Sequence, residues 1–223
     1  DQVKERVAQL RTRAPVCTNG QQTKVTLSNP CDDGDFLIFA GLSCLGGEIG
    51  QCSYIAQSQD QSGRFWRSPL RVNNDPTNAF SRDMALGILA YAAKTKDAPT
   101  LERWVAYVRE HDGKMCPVAT DNRCDIFRGI RTLTKIVGNK IGANIDWGNL
   151  SVSSQDAYAA ELYGTIQYGI SGFPLHLGAV QLLILEEVGI TSTYWIDVAR
   201  NALNDRQPNN ALFAHIARRD DLA

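Results

Sequence analysis

The sequence predicts a mostly α-helical domain, stapled by disulfides and made for an oxidising compartment. Three observations carry that expectation. Apolar residues recur at helical spacing along most of the chain, and acids, serines or prolines precede these runs as helix-start signals. Six cysteines, an even number, stand close together in short loops, which favours disulfides. No low-complexity linker or abrupt change of composition divides the 223 residues, so residues 1–223 are expected to form one domain.

The elements follow in order. Residues 1–13 carry Val3, Val7 and Leu10 on one face, as a polar-faced helix does. A loop closed by Cys17 and Cys31 comes next, with a short extended piece at Lys24 to Leu27. Asp32-Asp33-Gly34-Asp35 precedes the apolar run Phe36 to Leu42; carboxylates suit the free N–H groups of a helix start, and Gly46-Gly47 ends that helix. Glu48 to Ser58 makes a second helix. A turn rich in polar and aromatic residues spans 59–69, and a surface loop spans 70–79. Ser81-Arg82-Asp83 caps the clearest helix, Met84 to Lys96, which is apolar nearly all round and therefore expected to be buried. Asp97-Ala98-Pro99 reads as a break. Leu101 to Glu110 is amphipathic, and Asp125 to Val137 is helical after the loop between Cys116 and Cys124. Residues 138–153 read as loop. Helices are then expected from Ser154-Gln155-Asp156 to about Tyr168, from Gly172-Phe173-Pro174 to Val188, from Ser192 to Asp205, and near Leu212.

Charge and cysteine usage exclude several functions. The formal net charge of -1 lacks the basic excess of a nucleic-acid binder. No apolar run is long enough to span a membrane. There is no C-x-x-C, and His111, His176 and His215 are scattered, so neither a metal site nor a cofactor is expected. Cys17–Cys31, Cys44–Cys52 and Cys116–Cys124 is the simplest pairing, each loop contributing ~2–3 kcal/mol; six buried thiols in a cytosolic protein is the alternative. The chain opens Asp1-Gln2-Val3-Lys4-Glu5-Arg6, as a mature chain after signal removal or a trimmed one would. A periplasmic or secreted location is expected. Asn149-Leu150-Ser151 is an N-glycosylation sequon, meaningful only in a eukaryotic source.

Two constellations could carry chemistry. Asp33, Asp35 and Asp83 stand at helix starts; two carboxylates, one protonated and one ionised, are what glycoside hydrolysis needs. Plain capping explains the same residues, least readily for Asp35, because Asp32 and Asp33 could already cap. Arg64, Trp66, Arg67 and Arg82 could stack on sugar rings and hold hydroxyls or carboxylates, or could neutralise nearby acids. His176, inside an apolar run, is either a satisfied core group or a reserve general base, with Gln181 about one turn further along. Glu186-Glu187 reads as a solvated face. Tyr158, Tyr163 and Tyr168 read as core and rim packing before a binding ladder.

Asp35, Asp83, Asp125 and Asp156 each open an apolar, glycine-containing helix, and the first spacings suit a repeat of helical hairpins. With these acids and aromatics, the chain resembles the (α/α) toroid proteins, the six-hairpin glycosidases and their relatives. Gln59-Asp60-Gln61-Ser62-Gly63-Arg64-Phe65-Trp66 also looks like the Q-x-x-x-G-x-W turn of toroid terpene cyclases, with shifted spacing, whereas Asp32-Asp33-Gly34-Asp35 does not match their acid motif. The resemblance spans about residues 32–190 at the level of architecture, and the length leaves room only for a partial or small toroid. It implies acids at the rim of a sugar-binding cleft. The expected function is a glycoside hydrolase or lyase acting on an envelope or extracellular polysaccharide; the alternative is a non-catalytic polysaccharide- or protein-binding protein of the envelope, and a lipid or isoprenoid binder stands third.

Overall fold

The computed structural model describes residues 16–20, 36–74, 80–117 and 122–217. Among them the chain is all-helical. The helices are α1 (Phe36–Leu45), α2 (Ile49–Gln57), α3 (Arg82–Thr95), α4 (Ala98–Glu110), α5 (Arg128–Ile141), α6 (Gln155–Tyr168), α7 (Phe173–Glu187), α8 (Tyr194–Arg206) and α9 (Ala211–Ala217). Extended pairing among the described residues is limited to the isolated bridges Gln59 to Phe65 and Lys114 to Asp125. No helix among them is long and apolar enough to cross a membrane. The expected helix at 1–13, the extended piece at Lys24 to Leu27, Cys31, Asp33 and Asp35 lie outside the described residues.

The helix expected to be buried is the axis of the packing. Every residue of α3 from Met84 to Ala93 is buried, and α3 touches α1, α2, α4, α5 and α7. Its contact with α1 is backbone to backbone: a Cβ added to Gly41 would sit 2.5 Å from the Gly87 Cα, and one added to Gly87 would sit 2.1 Å from the Leu37 carbonyl oxygen. Beyond α7, the helices α6, α8 and α9 pack on one another. The buried side chains run as one cluster from Phe36 to Ile216.

Two disulfides pin the N-terminal half. Cys44–Cys52 ties the end of α1 to α2 with Cα atoms 4.9 Å apart. Cys116–Cys124 closes the loop before α5, with Cα atoms 5.2 Å apart. Cys17 is also disulfide-bonded, and its expected partner Cys31 is outside the described residues.

Two boundaries differ from expectation for local reasons. Pro99 does not break the chain but stands in the first turn of α4, where its missing N–H costs nothing; Asp97 is the cap, accepting from the Thr100 N–H at 3.1 Å. Asp125 does not open α5. It is paired with Lys114 in the short bridge and by an ion pair, so α5 begins only at Arg128. That helix then runs through Gly138, expected in loop, to Ile141.

Candidate functional site

A groove of about 370 Å³ lies between α1, α7 and α9. Ile38, Phe39 and Leu42 form one wall; Phe173, His176, Leu177 and Val180 form the other, with Leu212 of α9 at one end. Asp83, in the first turn of α3, contributes a carboxylate. A mainly apolar pocket of this size with a few convergent polar groups is the usual form of a ligand site.

Local sequence explains how the walls are set. Gly172 precedes α7 with φ +99°, a conformation that side-chain-bearing residues rarely adopt. The chain can thus reverse from Ser171 and start α7 at once, with Pro174 in the first turn. That start exposes Phe173, 60% accessible, beside His176. The His176 ring rests against the buried Phe213 ring, 5.1 Å between centroids. His176 is thus neither a core group nor isolated: it is exposed at the groove. Asp83 is half-buried and receives a hydrogen bond from the Ser81 hydroxyl, so the α3 start is organised around that carboxylate. Gln181 turns away from the groove, accepting from the buried Tyr158 hydroxyl at 2.7 Å.

The other expected site residues are placed elsewhere. The face of Trp66 is covered by the Arg64 guanidinium, 3.7 Å from the ring centroid. Its indole N–H donates to the half-buried Asp60 at 2.7 Å, and Trp66 and Arg64 are both buried. Asp60 also accepts from the Ser62 N–H and hydroxyl. This turn is docked on α4: Gln59 donates to the Thr100 carbonyl, and Arg103 donates to Gln59 Oε1 at 2.7 Å. Gly63, at φ +92°, lies so close to α4 that a Cβ would meet the Arg103 carbonyl oxygen at 2.4 Å. The Q-x-x-x-G-x-W-like segment is therefore a structural turn in this chain. Arg82 lies over the Phe127 ring at 3.9 Å. Arg67 is half-buried in the segment that follows Trp66 and does not line the groove. Of the expected residues, the groove brings together Asp83 and His176.

The chain matches no protein-family model, no curated protein and no solved structure.

Two features were not expected. Glu186 is not solvated: it faces the buried Arg200 guanidinium at 3.7 Å, while Arg200 also donates to the Thr191 carbonyl. And Tyr163, which packs against the core as expected, and the exposed Tyr168 join Tyr194 and Trp195, which were not singled out, in a cluster of rings linking α6 to α8. Tyr163 lies 5.6 Å from Trp195 and 6.3 Å from Tyr168, and Tyr194 lies 5.0 Å from Trp195. The sequence signal was weak, since the two pairs are far apart along the chain and meet only because α6 packs on α8.

Proposed function

We propose that this chain is an exported, one-domain binding protein of the periplasm or cell exterior that takes an apolar segment of a partner protein into the α1–α7–α9 groove without turnover. The observation that carries the reading is the groove's composition: an open, mainly aliphatic and aromatic channel with Asp83 as its one lining carboxylate among the described residues. An amphipathic helix laid into such a groove is a recurring recognition mode. Disulfides support an oxidising compartment, and the continuous core supports a single domain. The partial (α/α) toroid belongs to the same proposal. The N-terminal turn of α3 opens on the groove, as an inner helix would, while burial of α3 on every side limits the likeness to a partial ring.

Selection of displayed amphipathic helical peptides against the oxidised protein tests this. Ligands should emerge whose affinity falls at least tenfold in Phe173→Ala and Leu212→Ser, two exposed groove positions. Ligands indifferent to both changes, or none at all, would sink the proposal.

A second reading is a polysaccharide hydrolase or lyase. It is favoured by Asp83 and His176 sharing the groove, where a carboxylate and an imidazole could divide acid and base roles. Turnover of a polysaccharide that disappears in Asp83→Asn and in His176→Ala, with folding intact, would replace the first reading by this one.

A further inference from the structure

Residues 1–13 lie outside the described residues, and their sequence is matched to the groove. Val3, Val7 and Leu10 recur at i, i+4 and i+7, so a helix over this segment carries one apolar stripe. On the same wheel Arg6 and Arg11 flank the stripe on its two sides, whereas Asp1 and Glu5 fall on the opposite face. The stripe from Val3 to Leu10 and the groove wall from Phe173 to Val180 are equally long, about 10 Å each as helix. The groove offers the complement. Its walls are aliphatic and aromatic, Phe173 and Leu212 are exposed on them, and Asp83 supplies a carboxylate. No lysine or arginine is among its described lining residues.

The tether of this segment starts at α2, next to α1. The Asn19 carbonyl accepts from the Tyr54 hydroxyl of α2 at 3.2 Å. Cys44–Cys52 in turn ties α2 to the end of α1, within one turn of Leu42 on the groove wall. The chain between Leu10 and Val16 spans up to about 20 Å when extended. Such a short tether holds residues 1–13 at an effective concentration on the order of millimolar, so a weak attraction suffices to fill the groove. The other segments outside the described residues are less suited. Residues 21–35 bring Asp32, Asp33 and Asp35, which Asp83 repels. Residues 75–79, 118–121 and 218–223 are too short to carry such a stripe.

We infer that residues 1–13 form an autoinhibitory helix in the α1–α7–α9 groove of their own chain, with Val3, Val7 and Leu10 on the apolar walls and a flanking arginine toward Asp83. The inference rests on the reading of that groove as a channel for an amphipathic helix, and adds its regulation: a partner must displace the chain's own segment. Photo-cross-linking of the oxidised full chain tests it, with Leu10 replaced by p-benzoylphenylalanine. Irradiation should give cross-links within one chain to peptides of α1, α7 or α9 that hold groove residues such as Phe39, Leu177 or Leu212. Val3→Asp with Val7→Asp puts charge against apolar walls and should lower their yield by about tenfold. Arg6→Glu with Arg11→Glu should lower it by about twofold. Near-ultraviolet circular dichroism should show the core unchanged in both. Cross-links that fall mainly outside the groove, that join two chains, or that keep their yield in either double variant overturn the inference. Each of those results leaves the partner proposal to its own test, the peptide selection. Cross-links in the groove beside a selection that yields no ligand would keep the segment in place and end the partner reading instead.

Discussion

Gly41 of α1 and Gly87 of α3 meet backbone to backbone, so closely that a methyl group on either would overlap the other helix's main chain. Helix axes are usually kept apart by side chains, and here the crossing has none. Because the obstruction is backbone, rotamer changes cannot relieve it, and α1 must move away from α3.

Gly41→Ala and Gly87→Ala should therefore each destabilise the fold by roughly 1–3 kcal/mol or more through overpacking. Each kcal/mol lowers the melting temperature by about 2–4 °C in a chain of this size. Thermal melts of the oxidised proteins measure it. Melting within a degree of the parent protein would show that the crossing is looser than described.

Tyr91 donates to Asp97 across the α3–α4 junction. Burial, then the hydrogen bond and negative charge of Asp97, push the Tyr91 phenol up to about 12. The folded state therefore holds the Tyr91 proton more tightly than the unfolded chain, whose phenol titrates near 10. The stability this gives is complete below pH 10 and is lost as pH rises from about 10 to about 12, by roughly 2–3 kcal/mol. Urea denaturation across that range should show the fall, and Tyr91→Phe should flatten it. An equal slope in both proteins would show that Tyr91 is not its source.

Asp97 behaves in the opposite sense. Burial alone would raise its pKa, but hydrogen bonds from Tyr91 and Thr100 outweigh burial and hold the carboxyl below its usual range. Its contribution is present above the unfolded-state value near 4 and is lost as pH falls through the lower folded value. Asp97→Ala should remove part of the acid sensitivity and also the cap of α4, costing about 0.5–2 kcal/mol at neutral pH.

Arg200 and Glu186 oppose their charges beneath α7 and α8. Removing the guanidinium takes the facing positive charge from a buried carboxylate, so Arg200→Met should cost about 3–5 kcal/mol. The double change Arg200→Met with Glu186→Leu should recover much of that loss. A double-mutant cycle by denaturant titration checks it; additive losses would contradict the pairing.

Asp60→Ala removes the acceptor for Ser62 and for the Trp66 indole N–H. The buried indole would lose its partner, at about 1–3 kcal/mol. The variant should be less stable yet unchanged in ligand binding. Lost binding at unchanged stability would return this turn to the functional residues.

The helices were legible where composition alone decides. α3 reads as buried because it offers no polar face, and α7 announces itself by Gly172 and Pro174. Pro99 misled because proline both breaks helices and suits their first turn, and only the Asp97 side chain tells the two apart. Asp125 misled because a charge pair with Lys114 competed with capping. At the site, Asp83 and His176 were picked out singly for their chemistry, but nothing in the sequence joined them; packing of α7 beside α1 and α3 does. Trp66 and its arginines carried the right chemistry for sugar and were used for structure, because Arg64 occupies the ring face a ligand would need. The ring cluster on α6 and α8 was legible only in its tyrosines of α6, and not in its partners Tyr194 and Trp195. Tyrosine is common in cores, and its exposure depends on the turn that Arg206 secures from far along the chain.

The encasement of α3 also sets an order of events during biogenesis. Ten consecutive residues of this helix need cover from α1 on one side and from α5 and α7 on others. A ribosome delivers α3 long before α7, so the nascent chain carries an apolar segment that its own later sequence alone can shield. Until residues 173–187 emerge, that segment is a target for chaperones and for aggregation. A chain obliged to wait in this way completes its core only after the C-terminal helices arrive.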